Sequence, residues 1–290
     1  MRVDLGCGQI TWRGRRAQEA LADIGRAGYR GAPWSYSYGE TPSRITETLR
    51  EHGLLPAPAY FGGDFWEPAR YENLVAAADR YAKTSRALGV TELYISAGGF
   101  QTRTRAGRTR WQAAAKAGPD DELTDTEFTQ LVRTVTAIGT ATLEHGVRAC
   151  YHNHVGSFVE TEHEVERLLA ETDPEVVFLG PDTGHLAWAG IDPVAFTRRH
   201  RERIRTMHLK DMVEAVRTRG IADGWDYTAF EQHGIWTEVG DGDLDVRRLL
   251  QALEDADFDG WLIVETDVTR RESPYQSARI SREYLNSLGL

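Results

Sequence analysis

Cysteine is scarce in this 290-residue chain, which contains only Cys7 and Cys150. Two thiols cannot form the disulfide framework of a small secreted domain, so we expect a protein of the reducing cytoplasm. Long apolar runs are missing as well, because no stretch approaches the roughly 18 residues of a membrane span. The opening MRVDLGCGQITW also lacks the apolar centre of a signal peptide. We therefore expect no membrane partner.

Positive charge is in deficit, with 34 Lys and Arg against 44 Asp and Glu and a net charge of −10. Phosphate recognition depends mainly on clustered Lys and Arg, so this balance disfavours a nucleic-acid partner. The segment FQTRTRAGRTR, residues 100–110, is a local exception. Its arginines are compatible with an anionic substrate or a partner subunit, although such a run is more often simply solvated.

Low-complexity tracts and Pro/Ser-rich linkers are also missing, so we predict one domain over residues 1–290. Short apolar runs alternate with amphipathic stretches whose apolar spacing is near 3.6 residues. Several of these stretches end in glycine, as a left-handed helix cap requires: Gly28, Gly53, Gly89 and Gly146. The predicted strands begin at Val3, Tyr29, Leu54, Glu92, Val147, Val176, Ile204 and Trp261.

Eight strands that alternate with helices predict a (β/α)₈ barrel. A doubly wound open sheet is the alternative, but no G-x-G-x-x-G segment follows the first strand, as the dinucleotide sites of that fold require. In barrels of this type the active site lies at the carboxyl ends of the strands.

Histidines and acidic residues collect at the ends of predicted strands five to eight. In chain order they are His152, His154, Asp182, His185, His208, Lys210 and Glu265. Residues two apart on a strand share a face, so His152 and His154 point the same way. If that face lines the barrel, they converge with Asp182, His208 and Glu265. A single histidine in a barrel strand is more often a hydrogen-bonded core residue, but the coincidence on successive strands favours a metal site.

Imidazole and carboxylate ligands together suit Mn²⁺, Co²⁺ or Zn²⁺ and leave positions open for a substrate. Lys210 shares a face with His208 and is placed either to contact a substrate oxygen or to pair with Asp182. His185 is a candidate for a substrate hydrogen bond, or for a helix cap near Asp192. Aromatic residues after several strands suit a cyclic polyol or simple packing, among them Trp12, Trp34 and Trp66. Asp245 is predicted to cap the following helix.

Several segments together resemble the xylose-isomerase-like barrel superfamily of sugar isomerases, epimerases and dehydratases. They are YHNHVGSFVET, GPDTGHLAWAGIDP, MHLKD, VGDGDLD and the late VE. The resemblance extends from about Gly6 to Tyr284. Within the superfamily, the opening GCGQITW and the segment GLLPAPAYFGGDFW look most like inosose dehydratases.

The resemblance implies a divalent metal, Mn²⁺ first, held by a residue of strand five together with Asp182, His208 and Glu265. Alignment on residues 158–161 puts His154 at the first position, whereas alignment on Gly156 chooses His152. We expect His154 as the ligand and His152 as the proton shuttle. Many epimerases of the group have glutamate at this first ligand position and use a pair of glutamates as the acid and base. Histidine at this position in the present chain therefore argues against simple two-base epimerisation.

The function that this resemblance implies is a metal-dependent lyase that removes water from an inosose-like keto-polyol. His152 or Glu265 would take the α-proton, Lys210 would stabilise the enediolate, and His185 would protonate the leaving hydroxyl. We expect the substrate to be contacted by Trp12, Trp34, Trp66 and Glu160.

Alternatives within the fold are sugar isomerisation or epimerisation and β-elimination from 3-oxo-glycosides. A metal-dependent abasic-site endonuclease is disfavoured by the net charge of −10, and a non-catalytic binding barrel is the remaining alternative. We further expect the chain to form a homo-oligomer. Assembly with a different partner subunit is the alternative.

Overall fold

Eleven short β-strands form the centre of the protein in the computed structural model, which describes residues 1–290. They are β1 (Arg2–Cys7), β2 (Gly31–Pro33), β3 (Leu55–Ala57), β4 (Tyr60–Gly63), β5 (Glu92–Ala97), β6 (Arg148–Tyr151), β7 (Val177–Leu179), β8 (Met207–Leu209), β9 (Asp211–Met212), β10 (Trp236–Thr237) and β11 (Asp259–Val264). Every one of the eight predicted strands is present.

The strands form two parallel sheets, in the orders β3-β2-β1-β11-β8 and β4-β5-β6-β7. The third predicted strand is divided at Pro58 and Ala59, so the chain itself passes from one sheet to the other. Proline cannot donate a ladder hydrogen bond, which accounts for the break. At the opposite junction, parallel bridges pair Leu179 with Ile204 and Asp182 with His208. The strands thereby follow the circular order of a (β/α)₈ barrel, with β9 and β10 as an added antiparallel pair.

Twelve helices surround the strands: α1 (Ala17–Arg26), α2 (Pro42–Arg50), α3 (Tyr71–Ala87), α4 (Arg110–Ala113), α5 (Asp125–Leu143), α6 (Glu162–Glu171), α7 (Thr183–Trp188), α8 (Pro193–His200), α9 (Glu214–Ala222), α10 (Tyr227–His233), α11 (Val246–Glu254) and α12 (Pro274–Ser287). Asp245 caps α11 as predicted, because its side chain accepts the Arg248 N–H. None of the helices is both long and apolar enough to cross a bilayer.

The acidic turn at residues 239–245 is organised around the buried carboxylate of Asp211, at the start of β9. Four backbone N–H groups donate to this carboxylate over 2.9 to 3.3 Å, from Met212, Gly240, Gly242 and Leu244. A Cβ atom on Gly242 would lie 2.2 Å from Asp211 Oδ1, so only glycine allows this approach. The turn therefore depends on Asp211, which also fixes the chain just beyond β8.

Replacing Asp211 with asparagine is expected to destabilise the protein by about 2 kcal/mol, because an amide nitrogen would face backbone donors. Urea denaturation of the wild type and of Asp211→Asn measures this loss. Asp241→Asn is the matched control, since that carboxylate is partly exposed and pairs with Arg271 at the surface. Equal stability of the two variants would contradict the assignment.

Candidate active site

Four side chains from consecutive strand ends meet at the carboxyl end of the barrel. His152 follows β6, Asp182 lies beyond β7, His208 belongs to β8 and Glu265 follows β11. The ligand atoms of His152, Asp182 and His208 all lie within 4.8 Å of one another. Glu265 Oε2 lies 3.3 Å from His208 Nδ1. Two imidazoles and two carboxylates therefore face a common point.

The donor atoms of this cluster fit a divalent cation. The Asp182 carboxylate uses Oδ1 to accept the His185 backbone N–H, at 2.9 Å. Its other oxygen, Oδ2, is buried and has no well-aligned hydrogen bond, although the Lys210 ammonium lies 3.1 Å away. His208 Nδ1 is also buried without a well-aligned hydrogen bond, with Glu265 Oε2 at 3.3 Å. Buried polar atoms are rarely left in this state unless a ligand or ion completes them.

His152 is held in the orientation and ionisation state that metal binding requires. Its Nδ1 lies 3.2 Å from the Gly180 carbonyl oxygen, so Nδ1–H donates there and Nε2 keeps its lone pair. Burial, followed by the charges of His208 and His154, keeps the pKa of His152 well below its usual value. The ring is therefore neutral at pH 7, which is the ligating form.

Lys210 supplies a buried positive charge beside this cluster. Its Nζ lies 3.1 Å from Asp182 Oδ2, 3.4 Å from Glu265 Oε2 and 2.8 Å from Asp267 Oδ1. Burial alone would lower the pKa of Lys210, but the three carboxylates outweigh it and raise that pKa well above its usual value. Three carboxylates against one ammonium leave a local charge of −2, which one divalent cation balances.

A second group of possible ligands, His154, His185 and Asp267, lies beside the first. The Val155 N–H lies 3.2 Å from His185 Nδ1, and the Lys210 ammonium lies 3.3 Å from Nε2. Both neighbours are donors, and a neutral imidazole has only one acceptor nitrogen, so the acceptor of His185 is already taken by a protein donor. Lys210 Nζ also lies 2.8 Å from Asp267 Oδ1. The cation of this second group is therefore the ammonium.

A cavity of about 390 Å³ opens over both groups. Its size lies in the range of small-molecule sites, roughly 300–1,000 Å³. Tyr60 meets His152 edge-on at 5.3 Å, and Phe100 meets His154 edge-on at 5.1 Å. The remaining lining residues are Gln9, Ile10, Arg13, Pro33, Pro58, His208, Lys210, Glu265 and Asp267. Candidate metal ligands and other ionisable side chains thus line a pocket with aromatic walls.

Most of the predicted chemical residues are brought together here, with one rearrangement. His152, and not the expected His154, is grouped with Asp182 and His208. His154 instead lines the cavity, its ring 6.1 Å from that of His152 and 3.7 Å from that of His185. The sequence did not reveal this because both histidines share one strand face, and only the depth along the strand separates them.

Three polar or charged cavity residues were missed by the sequence interpretation: Gln9, Arg13 and Asp267. For Asp267 a signal was available, since it lies two residues beyond Glu265 and shares its face in an extended strand. Gln9 and Arg13 lie in the loop after β1. A loop has no regular residue periodicity, so the sequence does not indicate which of its side chains face the cavity.

The predicted tryptophan contacts are corrected by the structure, because none of the three lines the cavity. Trp34 is buried and donates its indole N–H to the Ser85 hydroxyl at 3.1 Å. Trp12 donates in the same way to Asp23 at 3.0 Å. Trp66 packs edge-on against Phe158, at 4.6 Å between ring centroids. A buried tryptophan needs a partner for its N–H, and Trp12 and Trp34 meet that need within the framework.

Glu160 is also corrected, because it belongs to a buried ionic cluster around Arg110. Its carboxylate accepts the N–H groups of Ala115 and Gly156, each at 2.7 Å. Arg110 lies 3.5 Å from Glu160 and 3.0 Å from Glu164. Burial raises the pKa of Glu160 to about 7, although Arg110 opposes this rise.

Arg110 ties a long wall segment, residues 98–124, to the barrel. It donates to the carbonyl oxygens of Ser157 and Asp121 at 2.8 and 3.0 Å. The other arginines of the segment, Arg103, Arg105 and Arg108, donate to backbone carbonyls within it. These contacts assign the arginine-rich run to the framework of the wall segment.

The comparisons with known proteins agree with this architecture. The family model described as xylose isomerase-like TIM barrel matches residues 19–288. The chain belongs to this family. An inosose dehydratase from Lacticaseibacillus casei is 27% identical over 99% of this chain and 97% of its own length. An inosose dehydratase from Mesomycoplasma hyopneumoniae (strain 7448) is 30% identical, with coverage of 99% and 96%.

Solved structures show the same xylose isomerase-like fold. The apo form of 3-keto-D-glucoside 4-epimerase from E. coli superposes with a TM-score of 0.73 at 16% identity, covering 99% of this chain and all of that one. A D-allulose 3-epimerase from Methylomonas sp. gives a TM-score of 0.70 at 16% identity, with coverage of 99% and 98%. The protein is an enzyme of the xylose isomerase-like TIM barrel family.

Proposed function

We propose that this enzyme is a divalent-metal-dependent dehydratase that removes water from an uncharged keto-polyol of the inosose type. The observation that carries the proposal is the convergence of His152, Asp182, His208 and Glu265 at the floor of the cavity. The full-length similarity to proteins named inosose dehydratase supports the reaction class.

The four residues of that cluster would hold the metal, Mn²⁺ first, with Co²⁺ or Zn²⁺ as alternatives. When bound, a divalent ion supplies Lewis acidity that makes the proton α to a ketone easier to remove. His152 therefore takes the ligand role that the sequence suggested for His154. A bound divalent cation would balance the local charge of −2, and Arg13, which also lines the cavity, lies near two carboxylates, at 3.8 Å from Asp267 and 3.6 Å from Glu231. This balance favours a substrate without charge over a keto acid or a sugar phosphate.

His154 would be the general base, since it faces the cavity and is not among the grouped ligands. Its Nδ1 donates to the Val155 carbonyl over 2.7 Å, which leaves the lone pair of Nε2 available. Burial, followed by the charge of Lys210, lowers the pKa of His154 to about 4, so the ring is unprotonated at neutral pH and its lone pair is free.

The elimination would then run as a balanced pair of proton transfers. His154 takes the α-proton, and the Lys210 ammonium stabilises the negative charge that develops on the substrate oxygen. As the α,β double bond forms, the bond to the β-hydroxyl breaks and the His154 imidazolium returns its proton to that oxygen. Water and an unsaturated ketone are the products.

The direct test incubates metal-stripped enzyme with 2-keto-myo-inositol and added Mn²⁺ or Co²⁺. We expect a rise in the ultraviolet absorbance of a conjugated ketone that requires the metal. His154→Gln should lower kcat about a hundredfold while metal binding, measured by calorimetry, is retained. His163→Gln is the matched control, because His163 lies on the exposed surface near Glu122 and should leave kcat unchanged.

Two outcomes would overturn the proposal. Exchange of the α-hydrogen with solvent deuterium without loss of water would assign the site to isomerisation or epimerisation instead. The second outcome is no turnover with any of the three metals, together with no metal bound to the purified protein. This result would contradict the lyase function and support a non-catalytic binding barrel.

A further inference from the structure

The Lys210 ammonium lies where it competes with a metal ion for ligands. Its Nζ is 3.1 Å from Asp182 Oδ2 and 3.4 Å from Glu265 Oε2, and both carboxylates belong to the proposed metal site. Like charges at such short separations repel strongly in a buried site, since the effective dielectric constant is low. A divalent ion that takes these oxygens therefore requires the ammonium to move away from them.

The backbone of Lys210 cannot make that movement. The Lys210 N–H lies 2.9 Å from the Thr183 hydroxyl oxygen, and this hydroxyl lies 2.7 Å from the Lys210 carbonyl oxygen. Gly184 packs so closely that a Cβ atom there would lie 2.8 Å from Lys210 Cγ. Only the outer part of the side chain is free to change its position, over the ring of Trp236 at 4.9 Å.

Asp267 offers the ammonium a place apart from the metal ligands. Its Oδ1 makes the shortest of the three ion pairs of Lys210, at 2.8 Å. Asp267 is buried and is grouped with His154 and His185, outside the cluster of His152, Asp182 and His208. The ammonium already touches this oxygen without a well-aligned hydrogen bond, so it can align with Asp267 and stay there when it leaves Asp182 and Glu265.

We propose that Asp267 is a positioning residue that receives the Lys210 ammonium when a divalent ion binds Asp182 and Glu265. Metal affinity is then set by competition between the ion and Lys210, and Asp267 shifts this competition toward the ion. The same transfer places the ammonium beside the cavity, where the substrate oxygen lies. This inference rests on the proposed function, because it assumes that the four-residue cluster binds the metal.

The test measures Mn²⁺ binding by titration calorimetry on metal-stripped, full-length protein. Lys210→Met should bind Mn²⁺ about tenfold more tightly than the wild type, since the competing charge is removed. Asp267→Asn should bind it about fivefold more weakly, because the ammonium stays on Asp182 and Glu265. Lys83→Met is the matched control, since Lys83 is exposed and pairs with Asp79 on α3, and it should bind as the wild type does.

A double variant that combines Lys210→Met with Asp267→Asn separates this mechanism from a simple loss of negative charge near the metal site. If Asp267 acts through Lys210, the effect of Asp267→Asn should disappear in the Lys210→Met background. An equal weakening in both backgrounds would overturn the role of Asp267, and unchanged affinity in Lys210→Met would overturn the competition. Should Lys210→Met not fold without metal, Lys210→Gln takes its place in the same cycle, with the same expected directions. If the wild type binds none of Mn²⁺, Co²⁺ and Zn²⁺, the result would instead contradict the proposed metal-dependent function.

Discussion

Asp182→Asn is expected to lower kcat/KM by about a hundredfold to a thousandfold, which is the scale for losing one essential electrostatic group in an active site. Asparagine can still accept the His185 N–H and cap α7, so the helix start is retained. The amide nitrogen would replace Oδ2, the buried oxygen that faces Lys210 and His208. The substitution therefore removes a proposed ligand with little change in shape.

The measurement combines steady-state kinetics with metal analysis of the purified variant. Asp192→Asn is the matched control, because Asp192 caps α8 through the same kind of contact and lies outside the cavity. We expect its kcat/KM to equal that of the wild type. Full activity of Asp182→Asn with metal bound would contradict the proposed ligand set.

Arg110→Met is expected to destabilise the protein by about 3–5 kcal/mol, the usual cost of removing one partner from a buried ion pair. Glu160 and Glu164 would then share a buried site without a counter-charge, since Arg110 is the cation that contacts both. For a chain of this size the expected fall in Tm is about 10 °C. Thermal and urea denaturation measure both quantities.

The destabilisation caused by Arg110→Met should grow as the pH rises. The wild-type pKa of Glu160 is about 7, above its usual value, so its protonated form is favoured in the folded state. Stability from this group is complete below its unfolded pKa and is lost as pH rises through the folded one. Removing Arg110 raises the folded pKa further, so the deficit of the variant should be larger at pH 8.5 than at pH 6, values chosen on either side of that pKa.

Arg199→Met is a matched control, because Arg199 also pairs with two glutamates, Glu162 and Glu166, but is half exposed. Ion pairs of this kind on the surface contribute little to stability, so the Tm of Arg199→Met should stay within about 2 °C of the wild-type Tm. A loss that is equal in the two variants, or that shrinks as pH rises, would contradict the role given to Arg110.

The sequence was sufficient for the fold and for identifying the residues that meet at the candidate site, because strands and strand ends can be recognised from the sequence. Strand positions follow from short apolar runs, and the carboxyl ends of those runs hold His152, Asp182, His208 and Glu265. Depth along a strand leaves no such signal, so the sequence favoured His154 as the ligand, whereas the structure groups His152 with Asp182 and His208. The expected homo-oligomer stays a prediction.

The substrate contacts were harder to predict, because a tryptophan near a strand end has the same sequence pattern whether it faces the cavity or the helices. Trp12 and Trp34 lie in the framework because Asp23 and Ser85 accept their N–H groups, and these partners lie 11 and 51 residues away in the sequence. Glu160 was likewise assigned to the substrate, since its partner Arg110 lies 50 residues away. Long-range polar pairing of this kind is visible only in three dimensions.

The wall segment, residues 98–124, has a consequence for how such enzymes diversify. It contributes Phe100 to the cavity, and few charged side chains join it to the rest of the protein: Arg110 contacts Ser157, Glu160 and Glu164, Lys116 contacts the Trp225 carbonyl, and Glu122 lies near His163. None of the four proposed metal ligands belongs to it. Substitutions or insertions between Ala97 and Asp125 that keep Arg110 can therefore reshape the pocket while those four residues stay in place. This makes the segment a natural target for directed evolution toward new substrates.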